Sequence, residues 1–384
     1  MAVWRYHDSI GRVIREEVNR MSGPVLHIDP EKIRDNAREI CRRLPGIDVV
    51  GVAKVTCAHP AVARALVEGG TPGLGDSRLL NLRMLRRQNL GVPLWLLRSP
   101  DPAWAAEVVD TADVSLVAEL DAVRALEAAA AGRRRLHRII LMIDLGDLRE
   151  GIMPRELEGF LAELGCLRRI ELAGLGTNLT CFGGVVPTAE NLGELVSLAR
   201  RAEDAVGHGL LVSGGNSSTL DLAFAGGLPP GITGLRIGES ILLGVSTVTR
   251  RPHPGLHTDA FMLEAPVVEC RVKPSLPRGL IAQDAFGHVP VFTDRGPRLS
   301  AICAVGRQDV VPEGLTPLDP GIVVVGASSD HLLLDVQDAE PHPRVGDRLC
   351  FLPSYGAVLT ASTSPYVEKV LGTSITATEA APEI

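Results

Sequence analysis

Between residues 30 and about 240 the chain alternates short apolar runs with helix-like stretches, and few folds accept that pattern. The strand-like runs are Val49–Ala53, Pro72–Gly75, Leu94–Leu97, Val114–Val117, Ile139–Ile143, Leu172–Thr177, Leu210–Ser213 and Leu235–Gly238. Helix-like segments lie between them: Pro60–Gly69, Asp76–Asn89, Ala118–Ala131, Pro154–Leu164, Thr188–Val206 and Ser218–Ala225. Strand–helix alternation implies a parallel sheet, and eight repeats point to a closed (β/α)8 barrel of the TIM type. An open doubly wound sheet is the alternative. A barrel carries its active residues at the C-terminal ends of its strands.

The texture changes near residue 250. Pro252, Pro254, Pro266, Pro274 and later prolines punctuate short β-prone runs such as Pro266–Val272, Val289–Thr293 and Ile322–Val325. The expected organisation is an α/β barrel over 30–248 and a C-terminal all-β domain over 249–371. Residues 1–29 form an extension and a strand, Val25–Asp29, that joins the β domain. Residues 372–384, small, polar and acidic, are expected to be disordered.

With 384 residues, 45% of them hydrophobic, and a mean hydropathy of +0.17, a large soluble core is implied. The net charge is −7 and no basic stripe with aromatics appears, so nucleic acid is not an expected partner. No 18-residue apolar run or signal peptide is found, so no membrane is expected. The seven cysteines are scattered without a Cys-x-x-Cys pair. That fits reduced thiols in the cytoplasm better than disulfides or a metal site.

Lys54 ends the apolar run Val49-Val50-Gly51-Val52-Ala53. A lysine desolvated at a strand end loses basicity and becomes a nucleophile toward carbonyls. Alternatively it simply reaches solvent. The fifth run exits into Asp144-Leu145-Gly146-Asp147-Leu148-Arg149-Glu150-Gly151. Arg149 there suits a phenolate or carboxylate through its planar fork, or pairs with Asp147 or Glu150. The seventh run leads into Ser213-Gly214-Gly215-Asn216-Ser217-Ser218-Thr219 at a helix start. Such a turn offers backbone N–H groups and hydroxyls to a phosphate, or is an ordinary cap by Asn216 or Ser217. The eighth ends Leu235-Arg236-Ile237-Gly238-Glu239, and the sixth ends Thr177-Asn178.

Lysine, arginine, glycine–serine and Arg-x-Gly in this order resemble the fold-type III pyridoxal phosphate enzymes, the alanine racemase-like barrels. The strings around Arg149, Gly176-Thr177-Asn178-Leu179-Thr180-Cys181, Gly214–Asp221 and Gly326-Ala327-Ser328-Ser329-Asp330-His331 are most similar to the alanine/ornithine racemase family. The resemblance implies pyridoxal 5′-phosphate as cofactor and Lys54 as its Schiff-base lysine. Arg149 then touches the phenolic oxygen. Ser217, Ser218 and Gly238 hold the phosphate, and Arg236 faces the pyridine nitrogen, with Asn178 and Glu239 at the same rim. Two departures stand out. Asn178 takes the place of a stacking histidine. No tyrosine between Tyr6 and Tyr355 inherits the role of second acid/base.

The resemblance also implies a homodimer with shared active sites. Tyr355 reaches a phosphate from the partner chain, and Asp330, beside His331, receives a distal ammonium of the substrate; otherwise Asp330 caps a turn. The expected activity is racemisation of a basic amino acid, ornithine or lysine favoured, with Lys54 and Arg149 catalytic. Ser329, Cys303 and His331 are candidates for the second acid, or Lys54 serves both faces. A decarboxylase of the same fold and a non-catalytic cofactor carrier are the rival readings.

Overall fold

The first strand, β1 (Val25–Ile28), ends where Pro30 opens α1 (Pro30–Arg43). The structure is a computed structural model that describes residues 23–372. The extension before it and the expected disordered tail after Gly372 lie outside the described residues. The chain divides into two units, Pro30–Thr258 and a second built from the segment before Pro30 together with the chain from Asp259 onward.

In the first unit eight strands close a parallel barrel: β2 (Asp48–Val52), β3 (Gly73–Asp76), β4 (Leu94–Leu96), β5 (Val114–Val117), β6 (His137–Met142), β7 (Ile170–Thr177), β8 (Leu211–Gly214) and β9 (Gly234–Ile237). β9 pairs back onto β2 in parallel, which closes the ring and excludes the open sheet. The barrel helices after α1 are α2 (Pro60–Glu68), α3 (Leu79–Gln88), α4 (Ala105–Thr111), α5 (Leu120–Gly132), α6 (Leu157–Leu164), α7 (Ala189–Val206), α8 (Leu220–Phe224) and α9 (Glu239–Leu243). The longer helices turn one apolar stripe inward; in α1 it is Ile33, Ala37 and Ile40. Inside the ring, Val50, Trp95, Val114, Leu116, Ile140, Met142 and Ala173 pack as one apolar cluster. Each large side chain in it contributes about 2 kcal/mol by leaving water. The β2–β9 register sets Arg236 beside Val50, so its guanidinium shares the face of that cluster.

Residues beyond 248 still belong to the barrel unit. The buried Asn36 amide donates to the Ile241 and His257 carbonyls and accepts the His257 N–H. Arg43 donates to the Pro254 carbonyl at 2.7 Å.

The second unit is a predominantly antiparallel sheet of β10 (Phe261–Pro274), β11 (Pro297–Cys303), β12 (Leu315–Pro317), β13 (Val323–Ala327), β14 (Leu332–Asp335) and β15 (Arg348–Pro353). β1 joins it, antiparallel to β10 and parallel to β16 (Glu368–Leu371). One helix, α10 (Tyr355–Thr363), interrupts the β pattern. Its small and hydroxyl residues form no apolar stripe, so periodicity does not reveal it. Among the described residues no helix is long and apolar enough to cross a membrane.

His137, at the start of β6, is buried and bonded through Nε2 to the Ser115 hydroxyl at 2.9 Å. Burial holds its acidity at about 4 instead of 6.5. The folded state therefore resists a proton that the unfolded chain accepts. Stability is unaffected above pH 6.5 and falls as pH drops from 6.5 toward 4. The loss is on the order of 3 kcal/mol. Denaturant unfolding at successive pH values should show it, and His137→Asn should flatten the fall in that window.

Candidate active site

β2 stops at Val52, and Lys54 begins a 3-10 turn, Lys54–Thr56. The turn is closed by the Thr56 N–H and hydroxyl, which both bond the Ala53 carbonyl. Cys57 and Ala58 follow at φ of 52° and 56°, a left-handed conformation that non-glycine residues rarely adopt. The chain thus bends sharply at the barrel's C-terminal rim and leaves the Lys54 side chain there, partly buried. Burial, and after it the Arg149 guanidinium, lower the basicity of its amine, against the opposing pull of Cys181 first and then of Asp76 and Glu150.

After β6 the loop 144–151 is wound by acids. Asp144 accepts the Gly146 and Leu148 N–H groups at 2.8 and 3.2 Å. The buried Asp147 accepts the Cys181 and Phe182 N–H groups at 3.1 and 3.0 Å, pinning the loop after β7. Asp147 is thereby occupied, and Arg149 pairs with Glu150 through both Nε and a terminal nitrogen. The local ion pair foreseen as the plain alternative is present, in a guanidinium whose side chain remains 35% exposed. Glu150 also accepts from Asn178 at 3.3 Å. Asn178 accepts from the Asn216 amide at 2.7 Å. A polar chain therefore runs from the end of β6 across β7 to β8.

Gly151 makes this loop possible. At φ +133° it lies so close to the strand end that a Cβ would sit 2.4 Å from the Asp144 nitrogen. Backbone cannot yield as a side-chain tip does. Gly151→Ala should therefore destabilise the barrel by about 3 kcal/mol or more, read as a lowered denaturant midpoint with Arg149 displaced. A variant as stable as the parent would show the loop to be slack.

Beyond β8, Gly215 at φ +104° turns the chain, and a Cβ there would meet the Thr219 hydroxyl at 2.7 Å. Asn216 caps the turn by accepting the Ser218 N–H at 2.8 Å, so the capping alternative also holds. Ser217 is buried, and its hydroxyl accepts the N–H groups of Gly238 and Ser240 at 3.3 and 3.2 Å. Two amides and a hydroxyl converging at a strand end are the donor set an oxyanion needs. Ser218 instead turns its hydroxyl toward the Leu179 carbonyl, at 3.4 Å. Arg236 is buried and donates to the Ser213 hydroxyl and, at 2.5 Å, to the Thr177 carbonyl. Burial pulls its basicity down to about 10, so it is still a cation at neutral pH. Glu239 pairs with Arg250, and burial raises its pKa above the usual carboxylate range.

In the β unit, Ser329, Asp330 and His331 share the exposed turn between β13 and β14. His331 Nδ1 lies 3.1 Å from Asp330 Oδ1, and the Ser328 N–H closes the turn on the His331 carbonyl at 2.9 Å. Tyr355 begins α10. Cys303 does not suit the role of second acid. It is fully buried in β11, and burial pushes its thiol up to about 12.

Residues 28–244 match the sequence profile of the alanine racemase N-terminal domain. The chain is 41% identical to ornithine racemase of Acetoanaerobium sticklandii, over 91% of this chain and 99% of the relative. It is 39% identical to lysine racemase of Thermotoga maritima, over 92% and 99%. The chain belongs to the alanine racemase family. The barrel-plus-β architecture agrees: an alanine racemase structure from Bartonella henselae, with covalently bound pyridoxal phosphate, superposes with a TM-score of 0.69 at 17% identity. That match covers 91% of this chain and all of that one. As a family member the chain is an amino-acid racemase, an isomerase.

Several residues of the rim escape sequence reasoning. Asp76 reads as the first residue of a helix but is the last of β3, fully buried. Its signal was available: an acid directly after the apolar Gly73-Leu74-Gly75 is as anomalous as a lysine after Val52-Ala53. Glu150, Asn178 and Asn216 were visible singly, but nothing in their spacing announces the hydrogen bonds that join them.

Proposed function

We propose that this barrel rim binds pyridoxal 5′-phosphate and racemises a basic amino acid, ornithine or lysine. The observation that carries the reading is the pairing of Lys54, its basicity lowered at the rim, with a buried Arg236 one strand away. The residues suit the group. The Gly238 and Ser240 amides with the Ser217 hydroxyl offer a phosphate site, Arg236 a donor for a ring nitrogen, Arg149 a partner for a phenolic oxygen, and Lys54 an amine for the aldehyde. When bound, the cofactor supplies the electron sink for the pair left as Cα loses its proton.

The chain's own part is orientation and proton transfer. Lys54 takes and returns the Cα proton on one face, which needs a neutral amine near neutral pH. Arg236, held by Ser213 and the Thr177 carbonyl, stays charged and would keep a proton off a ring nitrogen bound against it. That limits the sink and favours returning the proton over losing carboxylate. Glu239, three residues after Arg236, is engaged by Arg250 and does not compete for that place. Ser329 and His331 are the remaining candidates for a second acid. The working form is a cytoplasmic homodimer in which Tyr355 and Asp330 serve the partner's barrel.

A chiral assay with L-ornithine, L-lysine and L-alanine, run beside carbon dioxide detection, tests the reading. The diamino acids should lose optical activity without gas release. Gas released in step with substrate loss would establish a decarboxylase, and no turnover of any of the three would favour a carrier.

A further inference from the structure

Asp76 is the last residue of β3, and none of its surface meets solvent. β3 lies beside β2, with Val52 opposite Gly75 and the Ala53 N–H bonded to the Gly75 carbonyl at 3.0 Å. Asp76 therefore emerges at the rim level with Ala53, one residue before Lys54, on the strand next to the lysine's own. Three hydrogen bonds lock the carboxylate. Oδ1 accepts the Arg78 N–H at 2.8 Å, and the Asn81 amide spans both oxygens at 3.1 Å.

Those partners are an amide and a carboxamide, and neither carries charge. Leaving a carboxylate unpaired in such a place is strongly unfavourable. The other acids around Lys54 are engaged elsewhere: Glu150 with Arg149 and Asn178, Glu239 with Arg250. Cys181 and Arg149 complete the ionisable groups acting on the lysine. The cation that acts on Asp76 is Lys54. A cap for the start of α3 needs only an acceptor, which asparagine would supply; the charge requires another reason.

We infer that Asp76 is a positioning residue for the reactive lysine, a locked counter-charge that fixes the charge state and direction of the Lys54 amine between proton transfers. The inference rests on Lys54 being that lysine. Burial raises the Asp76 carboxyl to about 6, so it is ionised at neutral pH yet stays responsive to its neighbour.

The test is trace acetylation of full-length, cofactor-free protein across pH, with each lysine read by mass spectrometry. The chain has four lysines, and the exposed Lys273 serves as internal reference. In Asp76→Asn the amine loses a partner that favours its charged form. The Lys54 midpoint should move toward acid by about one pH unit, with Lys273 unmoved. A folded variant with an unchanged Lys54 midpoint would overturn the inference, because a purely structural cap leaves it in place. If Asp76→Asn does not fold, Asp76→Ser removes the same charge and keeps an oxygen to accept the Arg78 N–H. The Lys54 curve must again shift toward acid; an unmoved curve sinks the idea. Borohydride reduction of the holoprotein separates the two failures. Cofactor fixed to another lysine overturns the reading of Lys54 itself, whatever the labelling shows.

Discussion

Lys54→Ala will lower kcat for racemisation by about three to four powers of ten, and borohydride will fix no cofactor to the variant. Three other lysines exist: Lys32 on α1, Lys273 on β10 and Lys369 on β16. None follows a barrel strand, so none stands where the C-terminal rim could use it. The loss should also resist conservative repair. Arginine at position 54 keeps the charge, but its guanidinium neither attacks an aldehyde nor gives up its proton near neutral pH. Lys54→Arg should therefore be as inactive as Lys54→Ala. If arginine restores activity to within tenfold of the parent, the lysine acts only through its charge and the proton-transfer role falls.

The same residue shows why much of the fold was legible. Strands buried on both faces must be apolar throughout, so the eight runs stand out, and β5 matches its reading residue for residue. Errors in the other barrel strands are slips of one or two positions, because a strand's end is set by where hydrogen bonding to its neighbour stops; in the β unit the expected run Val289–Thr293 forms no strand, and the run read from Pro266 starts at Phe261. α4 (Ala105–Thr111) and α10 went unseen for a different reason. Seven residues give too little periodicity, and a stripe of alanine, serine and threonine has no polar contrast. In the site, residues at strand ends were readable one by one. What joins them was not, since the bonds from Glu150 to Asn178 and from Asn178 to Asn216 cross strands distant in sequence. Asp76 was lost to a helix that begins three residues later. An acid before a helix has an ordinary explanation, and that explanation hid its burial.

Asp330→Ala should lower kcat/KM for ornithine and lysine by about two to three powers of ten and leave alanine no worse. The magnitude carries the argument. In the single chain the Asp330 side chain is 59% exposed. An ion pair in that much water is worth at most about 1 kcal/mol, or roughly fivefold. A carboxylate covered by protein and facing a distal ammonium is different: removing one partner strands the other, which costs about 3–5 kcal/mol. A hundredfold loss confined to diamino acids therefore requires Asp330 to be covered in the working enzyme, as a homodimer with shared sites provides. Mixing inactive Lys54→Ala with Asp330→Ala subunits should then restore activity with ornithine in the mixed dimer, where one site has both native groups. A merely fivefold loss would leave Asp330 in solvent. An equal loss for all three amino acids, or a parent enzyme that prefers alanine, would remove it from substrate choice and leave it, with His331 and Ser328, as part of the turn that joins β13 to β14.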